Sequence, residues 1–363
     1  MKGEKNNQKN QKISFHAIER DVNEIPVMVE KKVSGKDYVY YGEKNNFPQY
    51  LWDLYLRSSV MQGIVNGTID YVCGNEVVSR LGVINREGET IDDLIHRIVA
   101  DYMIYGGFSI QILRNHLGEI SELYWLDVQN IRMNEDGDKI FYSKEWGKYG
   151  AKAIEYERFD YNKKQSTSVF YYNGFLSRGV YPIPRYNGAL NAIETSVEIG
   201  KFHLNNILNN LSSSAIINFN NGQPSEDEKR KIEDQITEKF TGAHNAGRFI
   251  LSFNDNKETA TTIERLTEDK LDEKFQIIAD STMQEIFIAF RATPELFGMS
   301  SEGNGFSLTE FSEAFKLYNK TVVIPIQKDV MRCFDKIYNE ENVVSFVPFS
   351  LDEMTNKSEE EDE

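Results

Sequence analysis

The sequence predicts an α+β protein, and three observations carry that expectation. Residues 38 to 184 mix stretches of two-residue alternation with short stretches of helical spacing. From Leu190 onward, apolar residues recur at three- and four-residue intervals over much longer runs. The punctuating segment PIPRYNG at 182–188 separates the two regimes.

Taken in order, Ser58 opens the helical segment SSVMQGIVNGTIDYVCG, with Val60, Ile64 and Val72 on one side and Gly74 placed to end it. Thr90 and Asp93 form a capping box ahead of IDDLIHRIVADYMIYGG, which stops at glycines. FSIQILRN and ELYWLDVQNIRM alternate as strands, and Asp136-Gly137 is expected as a two-residue hairpin turn between RMNE and DKIFYS. SVFYYNGF continues the β pattern.

Beyond the break, Leu190, Ile193, Val197, Leu204, Leu208 and Leu211 mark one face of a helix about 24 residues and ~36 Å long. SSSAIINFNNG reads as a strand and turn. Ser225 and Glu228 make a second capping box before EDEKRKIEDQITEKF. That helix has acids in its first turn, Lys239 near its end and Gly242 after it, in agreement with the helix dipole. Its apolar stripe of Ile232, Ile236 and Phe240 is narrow, as expected of a solvated helix or one at the edge of an assembly. GRFILSF is a short strand. The next helix carries Leu271, Phe275, Ile278, Ile286 and Phe290 on one side.

ATPELFGMSSEGNGFSLTEF, at 292–311, then interrupts the helical pattern with a Gly- and Ser-rich stretch. Ser307 and Glu310 cap a last helix. Its apolar positions Leu308, Phe311, Phe315, Tyr318, Val322, Ile326, Val330, Phe334 and Ile337 continue to about residue 339, roughly 50 Å at 1.5 Å per residue. Pro325 lies in its interior, where it removes one backbone hydrogen bond and is expected to kink the rod. The alternative is two shorter helices meeting at 323–325.

The bulk composition narrows the function classes. At 363 residues there is room for two or more domains, or for an elongated subunit completed by its neighbours. A formal charge of −16 argues against a surface built to grip nucleic acid, which needs Lys and Arg to displace counterions. Cys73 and Cys333 match no ligand spacing and read as ordinary thiols of a reducing compartment. His16, His96, His116, His203 and His244 are scattered without metal-ligand spacing. The chain has no phosphate-binding GxxxxGK[ST], no dinucleotide GxGxxG, no HExxH and no GxSxG. A pair such as Asp101 and Glu122 can be drawn as acid and base, but with this many carboxylates the pairing carries little information. No cofactor and no metal are expected. MKGEKNNQKNQK at the start is basic and polar without an apolar signal region, and no run approaches the ~18 apolar residues of a membrane span. NKSEEEDE is an acidic tail.

The second half resembles the HK97-like family of phage portal proteins, most closely from about Asn187 to Tyr338. LNAIETSVEIGKFHLNNILNNL followed by SSSAIINF is similar to the family's first stem helix entering its clip. SEDEKRKIEDQITEKFTGAHNAGRFILSF resembles the clip's helix, turn and returning strand. FQIIADSTMQEIFIAFRATPELFG resembles the second stem helix running into the family's signature, here Ile286, Ala289, Phe290, Thr293, Pro294, Leu296 and Gly298. FSLTEFSEAFKLYNKTVVIPIQKDVMRCF is similar to the long helix after the tunnel loop. The first 180 residues match only in outline, and PRYNGAL stands where the family commonly has Gly-x-Ser-Pro.

The resemblance implies a portal fold with an α/β wing, long stem helices, a small α/β clip and a long kinked helix after a tunnel loop. The expected boundaries are a flexible arm at 1–37, wing at 38–185, first stem helix at 186–211, clip at 212–266 and second stem helix at 267–292. A tunnel loop at 293–306, the kinked helix at 307–340 and a last segment with the acidic tail at 341–363 complete the chain. It further implies a non-enzymatic ring, usually dodecameric, at one capsid vertex, through which double-stranded DNA is packaged and ejected. Ser300, Ser301, Glu302, Asn304 and Gly305 are the expected channel residues. Glu228, Lys229, Arg230 and Lys231 are the expected docking surface for the terminase large subunit and a head–tail adaptor, and Pro325 is the expected helix kink. Major capsid protein or scaffold is a further expected partner, and the location is the virion, with assembly in the host cytoplasm. An acidic subunit suits a channel along which a polyanion must slide. The competing expectations are a soluble carboxylate-dependent hydrolase and a non-portal head–tail adaptor.

Overall fold

The structure is a computed structural model that describes residues 25–148, 150, 152–208, 216–219, 227, 228, 230, 231, 250–253, 271–299 and 308–349. Its first part is an α+β body. Strands β1 (Glu30–Lys31) and β2 (Tyr40–Tyr41) pair antiparallel and lead into helix α1 (Phe47–Arg57), whose Pro48 lies in the first turn, where no N–H is missed. Ser58 ends α1 and caps α2 (Ser59–Cys73), its hydroxyl accepting from the Met61 N–H at 3.2 Å. Gly74 stops α2 with φ 66°, as its position in the sequence predicts.

Strand β3 (Glu76–Ser79) follows, then α3 (Ile91–Tyr105). The Thr90–Asp93 capping box forms in full, and Gly106 closes the helix in the left-handed region. Helix α3 is buried on most of its surface, from Ile91 and Leu94 through Ile98 to Tyr105, which makes it a central element of the core.

The strand expected over ELYWLDVQNIRM is two strands in two sheets. Strand β4 (Phe108–Arg114) lies between β5 (Ile120–Trp125) and, later in the chain, β9 (Thr167–Tyr172), antiparallel to both. Asp127 breaks the run. Its carboxylate accepts from the Gln129 N–H at 3.0 Å and caps a 3-10 turn at Val128–Asn130, so the chain leaves the first sheet. It resumes as β6 (Ile131–Met133), which with β7 (Lys139–Tyr142) and β8 (Ile154–Glu157) forms a second antiparallel sheet in the order β6-β7-β8. The β6–β7 hairpin also differs from expectation. Met133 pairs with Ile140, and the Asn134 amide oxygen accepts from the Asp138 and Lys139 N–H groups, so residues 135–138 form a four-residue loop. Gly137 supplies the left-handed position at φ 71°.

Helix α4 (Leu190–Leu208) is entered through a 3-10 turn at Asn187–Ala189. Leu190, Ile193 and Val197 are buried as the periodicity predicts, whereas Leu204 is 55% exposed. Residues 209–211 of the expected helix lie outside the described residues. Strands β10 (Ile216–Phe219) and β11 (Ile250–Phe253) pair in parallel, the arrangement a strand–helix–strand crossover requires. Helix α5 (Leu271–Phe290) runs antiparallel to α4. Phe202 near the end of α4 stacks on Phe275 near the start of α5 at 4.4 Å, while Tyr186 before α4 stacks on Phe290 at the end of α5 at 4.6 Å.

The last long element is helical without interruption over its described residues. Helix α6 (Leu308–Tyr318) passes through a π turn at Asn319–Val323 into α7 (Ile324–Tyr338), so the alternative of two separate helices does not hold. The Ile324 N–H donates to the Asn319 carbonyl, five residues back. Pro325 has no N–H for the Thr321 carbonyl, and the wider π turn makes room for its ring within the rod. Phe315, Tyr318, Val322, Ile326, Val330, Phe334 and Ile337 are all buried, following the predicted stripe through the irregularity. Asn339 ends α7 at φ 53°, and β12 (Val344–Val347), not anticipated from the sequence, pairs antiparallel with β3.

Candidate functional site

The expected channel residues Ser300, Ser301, Glu302, Asn304 and Gly305 lie outside the described residues, as does Ser307 of the expected cap. What the structure describes is how both ends of that segment are held. After Phe290, Arg291 turns the chain at φ 55°, and Pro294–Phe297 form a 3-10 turn that Gly298 ends at φ 83°. The Met299 N–H donates to the Pro294 carbonyl at 3.2 Å. Of the signature residues, Ile286, Phe290 and Leu296 are buried, and they fix the turn to the core.

Helix α2 is the anchor. Tyr71 donates its hydroxyl to the Leu296 carbonyl at 2.8 Å, and its ring meets those of Phe297, Phe315, Tyr318 and Phe349 at 5.5 to 6.1 Å. One turn earlier, Thr68 shares a 2.6 Å hydrogen bond with Tyr318 on α6. Phe297 packs against Gly67, where a Cβ would come within 2.8 Å of the ring. One helix therefore grips the residues that precede position 300 and those that follow position 307, and it holds the two ends of the segment in fixed relation. Sequence reasoning missed Gly67, Thr68 and Tyr71. The available signal was a glycine inside an otherwise helical pattern, which marks a close backbone approach.

The α4–α5 pair supplies a second feature. Ile277 is 67% exposed and Ile288 75% exposed. Eleven residues apart, they lie on nearly the same side of α5, because eleven residues come close to three full turns. Ile278 on α5 and Leu204 on α4 are also exposed, against the periodicity that grouped them with the inward residues. Exposed isoleucines thus stand toward both ends of the outer side of α5, with the exposed polar residues Asp280, Ser281 and Gln284 between them.

Of the expected docking residues, Glu228, Arg230 and Lys231 are helical and exposed, while Lys229 and the capping Ser225 lie outside the described residues. Pro325 sits in the first turn of α7, directly after the π turn.

The two cysteines and the two acids singled out in the sequence have structural surroundings. Cys73 and Cys333 are buried free thiols, and burial pushes each up to about 12, far from a nucleophilic thiolate at neutral pH. Asp101 is buried and accepts from the Trp125 indole N–H at 2.8 Å. Burial, with the charge of Asp127 added, holds its carboxyl well above the usual range. Glu122 instead pairs with Arg86 at 2.8 Å and accepts from the Tyr124 hydroxyl at 2.6 Å. The two acids have separate partners and separate structural tasks. Among the described residues no group of His, Cys, Asp and Glu side chains is arranged to hold a metal ion, and no helix is long and apolar enough to cross a membrane.

Comparison with known proteins gives three results. A family model described as phage portal protein matches residues 84–362. Two curated relatives, uncharacterized proteins of Rickettsia bellii (strain RML369-C) and Rickettsia felis (strain ATCC VR-1525 / URRWXCal2), are 26% and 25% identical over 151 residues, 41% of this chain and 37% of each relative. The matched stretch therefore spans little more than a third of their length. Among solved structures, the fold is similar to a chain in the virion of a native gene transfer agent particle, with TM-score 0.55, 14% identity, and coverage of 93% of this chain and 89% of that one. A chain in the neck of the native particle, computed with C12 symmetry, gives TM-score 0.53 at 14% identity, covering 87% and 88%. An HK97 family phage portal protein from Corynebacterium diphtheriae gives 0.50 at 10% identity, covering 84% and 96%. At such identities these likenesses speak to fold alone.

Proposed function

The chain belongs to the phage portal protein family, and from that premise we propose that copies of it close into a ring at a capsid vertex through which double-stranded DNA is packaged and ejected. The single observation that carries this reading is the family match over residues 84–362. The exposed Leu204, Ile277, Ile278 and Ile288 on the α4–α5 pair support it, since a closed heterologous ring gives each subunit two neighbours and covers apolar residues that one chain leaves bare. We read the ring as a dodecamer, in keeping with the twelvefold symmetry of the similar neck structure. Its role is structural, not enzymatic.

In this reading residues 38–185 form the wing, 186–211 and 267–292 the stem, 212–266 the clip, 293–306 the tunnel loop and 307–340 the long helix, with Pro325 and the preceding π turn as its bend. Residues 341–363 follow, and β12 ties the start of that segment to β3. Ser300, Ser301, Glu302, Asn304 and Gly305 line the lumen as small or acidic contacts that do not retain phosphate. The clamp on α2 fixes where that segment leaves and rejoins the rest of the fold. Terminase, a head–tail adaptor and capsid protein or scaffold are the partners, and the virion is the site of action after assembly in the host cytoplasm.

Electron microscopy of the purified chain tests the assignment. Rings with a central hole the width of a DNA duplex are expected, and a monodisperse monomer at every concentration and in capsid-assembly extracts overturns it. Reversing Arg230 and Lys231 to glutamate is expected to leave the rings intact while reducing DNA packaging in an assembly assay. Loss of rings would instead make that helix part of the ring's framework.

A further inference from the structure

The described surface holds a concentrated cationic groove on a chain of net charge −16. Arg185, Arg332 and Lys336 border a cavity of about 520 Å³ between the turn after β9 and helix α7. Phe175, 66% exposed, forms its apolar wall. The one carboxylate in the lining, Asp329, is already engaged. It accepts from the Tyr102 hydroxyl at 2.8 Å with one oxygen and from the Arg332 guanidinium with the other. Arg185 is held in place over the rings of Tyr102 and Phe175, at 5.4 and 5.3 Å, and donates to the Tyr102 hydroxyl at 2.7 Å. Among the described residues no carboxylate pairs with Arg185 or Lys336. Three cations against one acid leave two positive charges in excess at one concave site.

Several properties select the occupant. An excess this small is far below the six to ten or so phosphate contacts of a protein that holds DNA, and a cavity with an aromatic wall suits peptide side chains better than a duplex. The chain itself carries the complementary segment: SLDEMTNKSEEEDE, residues 350–363, has seven acids and one lysine. It departs from Phe349, whose ring contacts Tyr71 at 5.9 Å. Tyr71 meets Phe297 at 6.1 Å, and Phe297 meets Phe287 at 6.1 Å. One turn beyond Phe287, Phe290 lines a smaller cavity of about 180 Å³ that shares Phe175 and Arg185 with the groove. The ten steps from Phe349 to Glu359 extend to at most about 35 Å, which bounds how far from Phe349 the acidic run can begin to dock.

We propose that the acidic run Glu359 to Glu363 of the same chain docks in this groove against Arg185, Arg332 and Lys336. Docked there, it neutralises the cations of the long helix.

Zero-length carbodiimide cross-linking of the full chain, read by peptide mass spectrometry, tests the docking. An amide between the Lys336 ammonium nitrogen and a carboxylate among residues 359–363 is expected, formed with loss of water as the carbodiimide is hydrated. Its yield is expected to fall about fivefold or more in Arg185→Glu/Arg332→Glu, and likewise in 1 M salt, where the screening length is near 3 Å. Cross-links from Lys336 that go elsewhere, or none, overturn the proposal. Mixing nitrogen-15-labelled and unlabelled copies distinguishes the source: a cross-link joining labelled to unlabelled peptide assigns the groove to a neighbouring copy and overturns docking within one chain. Binding of a fluorescent short duplex that Arg185→Glu abolishes assigns it to nucleic acid and also overturns it. Ring formation, scored separately by microscopy, reports on the portal assignment alone.

Discussion

Replacing Ile277 and Ile288 with glutamate is expected to abolish ring formation while leaving the chain folded. Both side chains are more than two-thirds exposed in the single chain, so the substitutions remove no packing that the fold depends on. In the ring proposed above, the same positions would face a neighbour. Burying an isoleucine there contributes on the order of 2 kcal/mol, and a carboxylate in its place brings an unpaired charge that costs several more. Even about 4 kcal/mol per interface lowers each association constant roughly a thousandfold, and closure needs every interface at once. The expected products are monomers and short arcs by microscopy and light scattering, with an unchanged far-ultraviolet circular dichroism spectrum. Ile277→Leu/Ile288→Leu keeps the apolar surface and is expected to keep the rings. Glutamate variants that still close into rings would place these two isoleucines away from the subunit boundary.

How far the sequence carried depended on how local each determinant is. The Thr90–Asp93 box and the Ser58 cap are decided within four residues, and both form as read. The stripe from Phe315 to Ile337 survived the proline because it follows the rod's one inward face. The form of the irregularity at Pro325 was not legible, since proline is equally compatible with a break, a kink or a π turn. Asp127 was misread because its role as a cap competes with an otherwise continuous alternation. Pairings distant in the chain were invisible to a local reading: β12 with β3 across more than 260 residues, and Tyr71 with the Leu296 carbonyl across 225. Ile278 and Leu204 were assigned inward by spacing alone, yet they are exposed. Helical spacing marks apolar sides without saying whether the same chain or another copy covers them.

Arg132→Met is expected to cause the largest loss of stability of any single substitution considered. Arg132 is fully buried, yet among the described residues no carboxylate pairs with it. Its guanidinium donates to the Asn45 side chain, to the carbonyls of Gln129, Ile131 and Asn45 at 3.0, 2.6 and 2.7 Å, and to the Gln49 side chain at 3.2 Å. The Trp146 and Tyr41 rings lie 5.0 and 5.9 Å from it. Burial pulls its pKa down to about 10, which still leaves it charged at neutral pH. A cation held only by neutral dipoles is a costly arrangement, and it persists because it organises three separate pieces: the turn after β2, the start of α1 and strand β6. Methionine fills much of the volume but takes the guanidinium donors from the Asn45 and Ile131 carbonyls and the Gln49 side chain, and each buried acceptor left without a donor costs about 1–3 kcal/mol. The total is on the order of 4 kcal/mol, read as a lower denaturant midpoint at unchanged slope. Arg132→Lys keeps the charge but loses the planar fork that reaches opposed acceptors, so it is expected to lose roughly half as much. A methionine variant within about 1 kcal/mol of the parent would mean that neighbouring groups or water satisfy those acceptors, and that the guanidinium does not organise this corner of the body.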